Sequence, residues 1–184
     1  MQLFRTPKFV VLAAVGLVAL AVASSAVAAN VTATATVSAG TLSLSSSAAP
    51  SVSYTLNGSD QTQNYTLPMS VVDATGSGAG WNTTITSTTF TAGAKTLSTS
   101  ASTVTGVTSV CATGTCTNPT NSVTYNLGVP AAAVAPTAVK LFNSAVNTGM
   151  GSFTLTPTVQ VAVPANAYAG TYTSTVTLAA VSGP

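Results

Sequence analysis

Charge is nearly absent from this sequence, and histidine is missing altogether. Among 184 residues there are four Lys or Arg, two Asp or Glu and no His. Histidine is a common general base and metal ligand, so its absence leaves few ways to build a hydrolytic or metal site. Nucleic-acid binding depends on clusters of Lys and Arg, which the chain lacks. We therefore expect a non-enzyme with no metal and no cofactor, which does not bind nucleic acid.

The few charged residues do not suggest a catalytic site. Asp60 and Asp73 each lie in a turn-like context, where a solvated turn aspartate is the expected role. A glycosidase pair of these two carboxylates is the less favoured alternative. Lys95 and Lys140 lie in polar surroundings, where a solvated amine is more common than the partner of a nucleophilic serine. A secreted hydrolase therefore ranks last among the functions considered.

The longest apolar run lies close to the N-terminus. A basic start precedes residues 9–23, FVVLAAVGLVALAVA, and the A-x-A triplet at residues 26–28 then offers small side chains to a signal peptidase. The run is shorter than the ~20 residues of a spanning helix, which makes an uncleaved anchor the less favoured interpretation. We expect a cleaved signal peptide, residues 1–29, and an exported domain, residues 30–184, that does not span a membrane.

Most of the exported part alternates between apolar and polar residues, which is typical of half-buried strands. Pro68 indicates an edge strand or a bulge, and Asn57-Gly58 is a strong hairpin-turn pair. Roughly nine to ten short strands with turn residues between them predict an all-β fold, a single β-sandwich. The predicted strands are residues 31–37, 41–45, 51–56, 64–72, 81–90, 122–129, 138–142, 152–163 and 170–181.

The only two cysteines, Cys111 and Cys116, lie close together in the string CATGTC. Two near cysteines in an exported protein predict a disulfide bond. A loop this short constrains few residues, so the bond should pin a loop tip more than it stabilises the fold. A redox motif is less favoured, because the spacing is not C-x-x-C.

A glycine-rich run, Gly76 to Gly80, leads directly into the only tryptophan, Trp81. A phosphate-binding loop would need a Lys and a Ser or Thr at its end and a helix after it, whereas Trp-Asn and an alternating strand follow here. The run is better interpreted as a sharp bend of the backbone. Trp81 shares a strand face with Thr83 and Ile85, which favours a core position over an aromatic binding platform.

A resemblance to a known family rests on two segments. Residues 73–90, DATGSGAGWNTTITSTTF, resemble the first signature of the WxL domain, a cell-surface module of Gram-positive and related bacteria, in which a Gly-rich turn leads into Trp-x-Leu. Residues 161–184, VAVPANAYAGTYTSTVTLAAVSGP, are similar to the closing segment of that family. Thr83 stands where the first signature has Leu, and Val176 where the second has Trp. The resemblance implies non-covalent attachment to the cell wall through peptidoglycan, and a pairing of the two segments in which Trp81 enters a sheet facing the last strand.

Two functions compete. The first is a secreted or cell-surface structural or adhesive module, whose partner is a cell-wall polymer or another envelope protein and whose candidate anchors are Trp81 and Tyr172. The second is a self-assembling filament or surface-layer subunit, a homo-oligomer that donates its N-terminal strand to the open sheet edge of a neighbour. The candidate residues of strand exchange are Val31, Ala33, Ala35 and Val37.

Overall fold

The computed structural model describes residues 32–184, so the expected signal peptide and Val31 lie outside this range. The chain divides after Thr36, and residues 37–184 form one compact unit. Within the described residues no helix is long and apolar enough to cross a membrane. The strands are β1 (Leu42–Ser45), β2 (Gln61–Thr66), β3 (Met69–Asp73), β4 (Trp81–Thr88), β5 (Thr91–Ala92), β6 (Lys95–Thr96), β7 (Ser102–Thr113), β8 (Leu127–Gly128), β9 (Ala131–Ala132), β10 (Val139–Ser144), β11 (Gly151–Val163) and β12 (Val176–Ser182).

The larger sheet, called sheet A below, is organised around β11. One edge of β11 pairs antiparallel with β7, and the other edge pairs first with β3 and then with β2. Pro68 lies in the break between β2 and β3, where its missing N–H costs no ladder bond. β1 extends the sheet beyond β3, and β8 extends it beyond β7. Three neighbours thus hold β11 at the centre of sheet A.

The smaller sheet, sheet B, has β4 at its centre. β10 and β12 pair antiparallel with its two edges, and β9 adds a short parallel contact. Trp81 therefore has Ser144 on one side and Ser182 on the other. The expected pairing of the segment that holds Trp81 with the last strand is present, because β12 lies beside β4 in the same sheet. A separate two-stranded hairpin, β5 and β6, is joined to the chain before β12 by a bridge between Thr91 and Thr173.

The two sheets pack face to face, which confirms the predicted β-sandwich. Alternate residues of both inner faces are removed from water, as the period of two requires. At about 25 cal/mol per Å² of apolar surface, this burial is the main stabilising contribution to the fold. Sheet B supplies Trp81, Ile85, Leu141 and Phe142 to the core, and the chain of sheet A supplies Leu67, Met69, Val71, Val104, Phe153, Leu155 and Val159.

Two predicted strands are absent, and one long strand was missed together with the two-residue strands β5, β6 and β9. Residues 51–56 form no strand, and neither do residues 32–37, although both alternate. Only Leu127 and Gly128 of the segment 122–129 are paired. In contrast β7, twelve residues long, was not predicted, because Gly106 and a run of Ser and Thr interrupt its apolar positions. Whether a segment forms a strand depends on a neighbouring strand with which it can pair, and the alternation of apolar and polar residues does not show whether that neighbour is present.

Candidate binding groove

The glycine-rich run forms the bend that delivers Trp81 to the core. Gly76, Gly78 and Gly80 all have positive φ, at 64°, 65° and 74°. A Cβ on Gly80 would collide with the backbone carbonyl of Ser144, so only glycine allows this close approach. The bend and β10 therefore lie backbone against backbone, and the next residue, Trp81, turns inward.

Trp81 has no exposed surface. Its ring centroid lies 5.8 Å from that of Phe142 and 6.4 Å from that of Phe153, which joins sheet B to sheet A. The indole Nε1–H donates to the Gly149 carbonyl at 2.8 Å, so the polar atom of the ring is satisfied. The candidate role of Trp81 as a surface anchor is corrected accordingly, because a ring without exposed surface cannot stack on a ligand.

A groove of about 950 Å³ opens at the other end of β11 from the disulfide. Its volume is at the upper end of the range for ligand sites. Residues 46–56, which connect β1 to β2, line one part of the groove, and residues 167–178, which lead into β12, line another. Between them lie half-buried and buried apolar side chains, namely Tyr65, Leu67, Phe90, Leu97, Val161 and Val163.

One lining element, β12, has an unpaired backbone edge within the described residues. Thr88 N–H donates to the Thr175 carbonyl, and Gly183 N–H donates to the Gly80 carbonyl. Because bonding alternates along an antiparallel strand, the odd-numbered residues of β12 bond to β4. The N–H and C=O groups of Val176 and Leu178 therefore point toward the free edge, and both residues line the groove.

The other lining element, residues 46–56, also lacks ladder bonds. Among the described residues no backbone–backbone hydrogen bond involves residues 49–54. The segment still alternates in exposure, with Val52 and Tyr54 half-buried and their neighbours exposed. Its bonds to the strands of sheet A involve side chains: the Tyr54 hydroxyl donates to the Val161 carbonyl at 2.6 Å, and the Gln61 side-chain amide donates to the Thr55 carbonyl at 2.9 Å. The groove is thus lined by two extended backbones with free donors and acceptors, which is the chemistry needed to accept another strand.

Tyr172, the second candidate anchor, does line this groove. It is half-buried, and its hydroxyl donates to the carbonyl of Tyr168 at 3.0 Å. Tyr168 is 63% exposed, and the Lys95 ammonium lies 3.7 Å from the centre of its ring. Tyr65 is packed deeper, where burial raises the pKa of its phenol above the ordinary value. The wall of the groove is therefore aromatic and neutral apart from Lys95 at its rim.

The two aspartates are used locally. Asp60 Oδ1 accepts a hydrogen bond from the Ala165 N–H at 2.8 Å, which ties the loop after β11 to the turn before β2. Asp73 is buried, and its Oδ1 accepts from the N–H and the hydroxyl of Thr75. Both carboxylates thus hold turns; Asp60 is exposed as expected, whereas Asp73 is buried and the prediction of a solvated carboxylate was wrong there. Within residues 32–184 there is no group of three His, Cys, Asp or Glu side chains that could hold a metal ion.

Cys111 and Cys116 are bonded to each other, as predicted. Cys111 lies near the end of β7, and Cys116 lies against Gly151 at the start of β11. The residues between them are exposed. A disulfide is compatible with an oxidising compartment outside the cytoplasm.

The described strand-exchange candidates, Ala33, Ala35 and Val37, are exposed and belong to no strand. Val37 is 94% exposed. Within residues 32–37 the predicted half-buried strand is therefore absent, because none of the described sheet edges pairs with them. The first bond to sheet A comes three residues later, where Gly40 N–H donates to the Ala74 carbonyl.

Neither a protein-family model, nor a curated protein, nor a solved structure matches this chain. The resemblance to the WxL domain therefore stays a prediction, and the argument for function rests on the groove and the segments around it.

Proposed function

We propose that this chain is a non-catalytic structural module of the cell envelope, exported from the cell, whose groove accepts an extended segment of another polymer. The observation that carries the proposal is that two unpaired extended backbones, residues 49–54 and the edge of β12, line the same apolar groove. A polypeptide strand that enters there gains main-chain hydrogen bonds and buries alternate side chains on the aromatic wall.

The neutral surface supports the same proposal. Between residues 30 and 59, and again between residues 141 and 184, the sequence has no charged residue. Natural sheet edges are commonly guarded by charges that repel other strands. Both groove-lining segments lack such charged side chains, so an uncharged strand can approach β12 without electrostatic cost.

Peptide binding observed at single amides tests this function. The probe is a capped nonapeptide of alternating Thr and Val, added to the ¹⁵N-labelled protein with its disulfide intact. We expect slowed hydrogen exchange at the amides of Val176 and Leu178, which face the free edge, and little change at Thr177, which already bonds to β4. A peptide of the same sequence with methylated backbone nitrogens is the control, because it keeps the side chains and loses the donors.

If the groove accepts a strand, the unmethylated nonapeptide should slow hydrogen exchange at the Val176 and Leu178 amides, and the methylated peptide should not. Equal binding of both peptides, or binding of neither, would contradict the proposal.

A second candidate function follows from Tyr168 and Tyr172. The exposed ring of Tyr168 and the half-buried ring of Tyr172 at the groove are suited to stacking on sugar rings, and the WxL resemblance implies peptidoglycan as the partner. Sedimentation of the protein with purified peptidoglycan, compared with the Tyr168→Ala and Tyr172→Ala variants, tests this alternative. Tyrosine-dependent sedimentation together with no peptide binding would favour the wall polymer over the strand.

A further inference from the structure

The sequence and the structure disagree at two places, and both concern the groove. Residues 31–37 and 51–56 carry a strand pattern, yet none of them that the structure describes is paired. One of these segments lines the groove, and the other belongs to the N-terminal arm, defined here as residues 30–37, whose described residues 32–37 are exposed. An alternating segment without a partner in its own chain is what remains when the partner belongs to another molecule.

We infer that the groove is filled by the N-terminal arm, residues 30–37, of a second copy of this chain, so that copies join head to tail. The inference rests on the proposed function of the groove and names its occupant. The arm has the sequence NVTATATV, with Val31, Ala33, Ala35 and Val37 on one face and threonines on the other.

The arm matches the groove in chemistry. Its apolar face carries small side chains, which fit over a wall already occupied by the rings of Tyr54, Tyr65 and Phe90. Its threonines face away and keep the new outer surface polar. Val and Thr favour extended backbone, so the arm loses little by becoming a strand. Neither the arm nor residues 46–56 and 167–178 contain a charge, so nothing repels the arm.

Register explains why the occupant comes from a second copy. Leu42 aligns through Asp73 with Gly151, at the start of β11, whereas Val161 and Val163 of the groove lie near its end. Ten residues of strand, about 33 Å, separate Gly151 from Val161. If the arm folded back on β1 as a hairpin with residue 37 opposite Leu42, Val31 would reach only the level of Ala48. Ala48 lies at the near end of the groove, so the chain's own arm would leave Val161 and Val163 uncovered.

The same geometry decides the form of the assembly. The arm joins the domain at the Gly151 end of β11, and the groove lies at the Val163 end. A donor site at one end and an acceptor site at the other give a heterologous contact, which repeats without closing unless the rotation happens to form a ring. The structure therefore assigns a linear, filament-like arrangement to the joined copies.

The test compares residues 30–184 with residues 37–184, which form a compact unit and lack all of the arm except Val37. We expect the longer chain to form end-to-end oligomers in sedimentation and electron microscopy, and the shorter chain to stay monomeric. A fluorescent peptide of residues 30–38, NVTATATVS, should bind the shorter chain saturably at one site. It should also slow hydrogen exchange at Val176 and Leu178.

Charged variants provide matched controls. Ala33→Asp with Ala35→Asp places carboxylates on the apolar face, whereas Thr34→Asp with Thr36→Asp adds the same charge to the polar face. Burying an unpaired charge is costly, so an arm peptide with Ala33→Asp and Ala35→Asp should bind at least about tenfold more weakly than the original peptide. An arm peptide with Thr34→Asp and Thr36→Asp should bind nearly as well as the original. The same two double variants in residues 30–184 should give monomers and oligomers respectively, which decides the question even if the shorter chain does not fold.

The outcomes separate the two ideas. If the shorter chain binds the Thr-Val nonapeptide but not the arm peptide, the groove accepts strands and the inference about the second copy is overturned. If it binds neither, the proposed function itself is overturned. A monomeric longer chain, whose Val176 and Leu178 amides exchange slowly until the arm is removed, would show that the arm fills its own groove and would also overturn the inference.

Discussion

At the residue scale, the residues packed around Trp81 leave little space for substitution. Its indole is wedged between Phe142 and Phe153, and its N–H is bonded to Gly149. A Cβ on Gly149 would collide with Ser144 and would lie 2.7 Å from the indole nitrogen. The absence of a side chain at Gly149 thus makes room for the largest side chain of the core.

Gly80 gives the sharpest test of this arrangement. We expect Gly80→Ala to lower the free energy of unfolding by about 3 kcal/mol or more, because the methyl group meets the Ser144 carbonyl while the backbone keeps a positive φ. Gly76→Ala is the matched control, since Gly76 has a similar φ and open space around it; left-handed strain alone should cost about 1 kcal/mol. Urea unfolding of both variants measures the difference. Equal losses would mean that the close approach to Ser144 does not matter.

Thr83 offers a change in the opposite direction. It is completely buried, and its hydroxyl has no hydrogen-bond partner among the described residues. We expect Thr83→Val, which keeps the shape and removes the hydroxyl, to raise the free energy of unfolding by about 1 kcal/mol. Thr84→Val, on the half-exposed face of β4, should change it little. A loss of stability in Thr83→Val would indicate that the hydroxyl is satisfied after all.

At the scale of the element, the two ends of β11 have different surroundings. Its first residue, Gly151, lies against Cys116 of the disulfide, and its last residues line the groove. The same strand contacts β7 along one edge and two shorter strands along the other. Changes at the start should therefore affect stability without affecting the groove.

Removing the disulfide tests this separation. We expect Cys111→Ala with Cys116→Ala to lower the free energy of unfolding by about 2 kcal/mol, the value for closing a very short loop. Binding of the arm peptide should be unchanged, because about 30 Å of strand separates Ser152 from Val161. Calorimetry and peptide titration measure the two effects. A weakened peptide affinity would show that the two ends of β11 are coupled.

The strands were predicted correctly from the sequence where the alternation of apolar and polar residues coincides with burial of one face. The strands β4, β10 and most of β11 were correctly predicted, because their alternation coincides with burial against the opposite sheet. Pro68 was interpreted as an edge or a bulge within one strand, residues 64–72, whereas the structure has two strands there, with β2 ending at Thr66 and β3 beginning at Met69. Residues 51–56 were predicted wrongly for a physical reason: alternation allows pairing, and a free edge beside the segment decides whether it occurs.

The candidate site was less predictable than the fold. Tyr172 was identified as a candidate aromatic anchor, but Tyr54, Tyr65 and Phe90, which come from distant parts of the chain, were not. Only the pairing of β2 with the end of β11 brings these rings to one groove. The buried position of Trp81 was predicted from the strand face that it shares with Thr83 and Ile85. The hydrogen bond to Gly149 could not be predicted, because it joins residues that are neighbours only in the folded state.

At the scale of the whole molecule, the scarcity of ionisable groups shapes its response to pH. The sequence contains no histidine, which is the side chain that ordinarily titrates between about pH 5 and 8. Burial raises the pKa of the phenols of Tyr65, Tyr125 and Tyr54 above 10.0. The folded state therefore holds these protons more tightly than the unfolded state.

This difference predicts the stability curve. Below pH 10 both states keep the phenolic protons, so the contribution to stability is fully present. As pH rises through the folded pKa values, the unfolded state has already released its protons, and the free energy of unfolding falls. We expect a melting temperature that changes little from about pH 6 to 9 and drops above about pH 10. Tyr65→Phe should reduce the alkaline drop; an identical drop would assign it to other groups.

The pairing of β4 with β12 links the order of synthesis to the order of folding. Trp81 meets its neighbour Ser182 only when almost the entire chain is available. A chain that is released with its N-terminus first cannot complete sheet B until the last strand has emerged, and folds dominated by such distant pairings form slowly. Until that moment β4 lacks one of its two antiparallel neighbours, and sheet B is incomplete. Under the proposed export, the chain would cross a translocation pore before sheet B forms, and the rigid domain would be completed only on the far side.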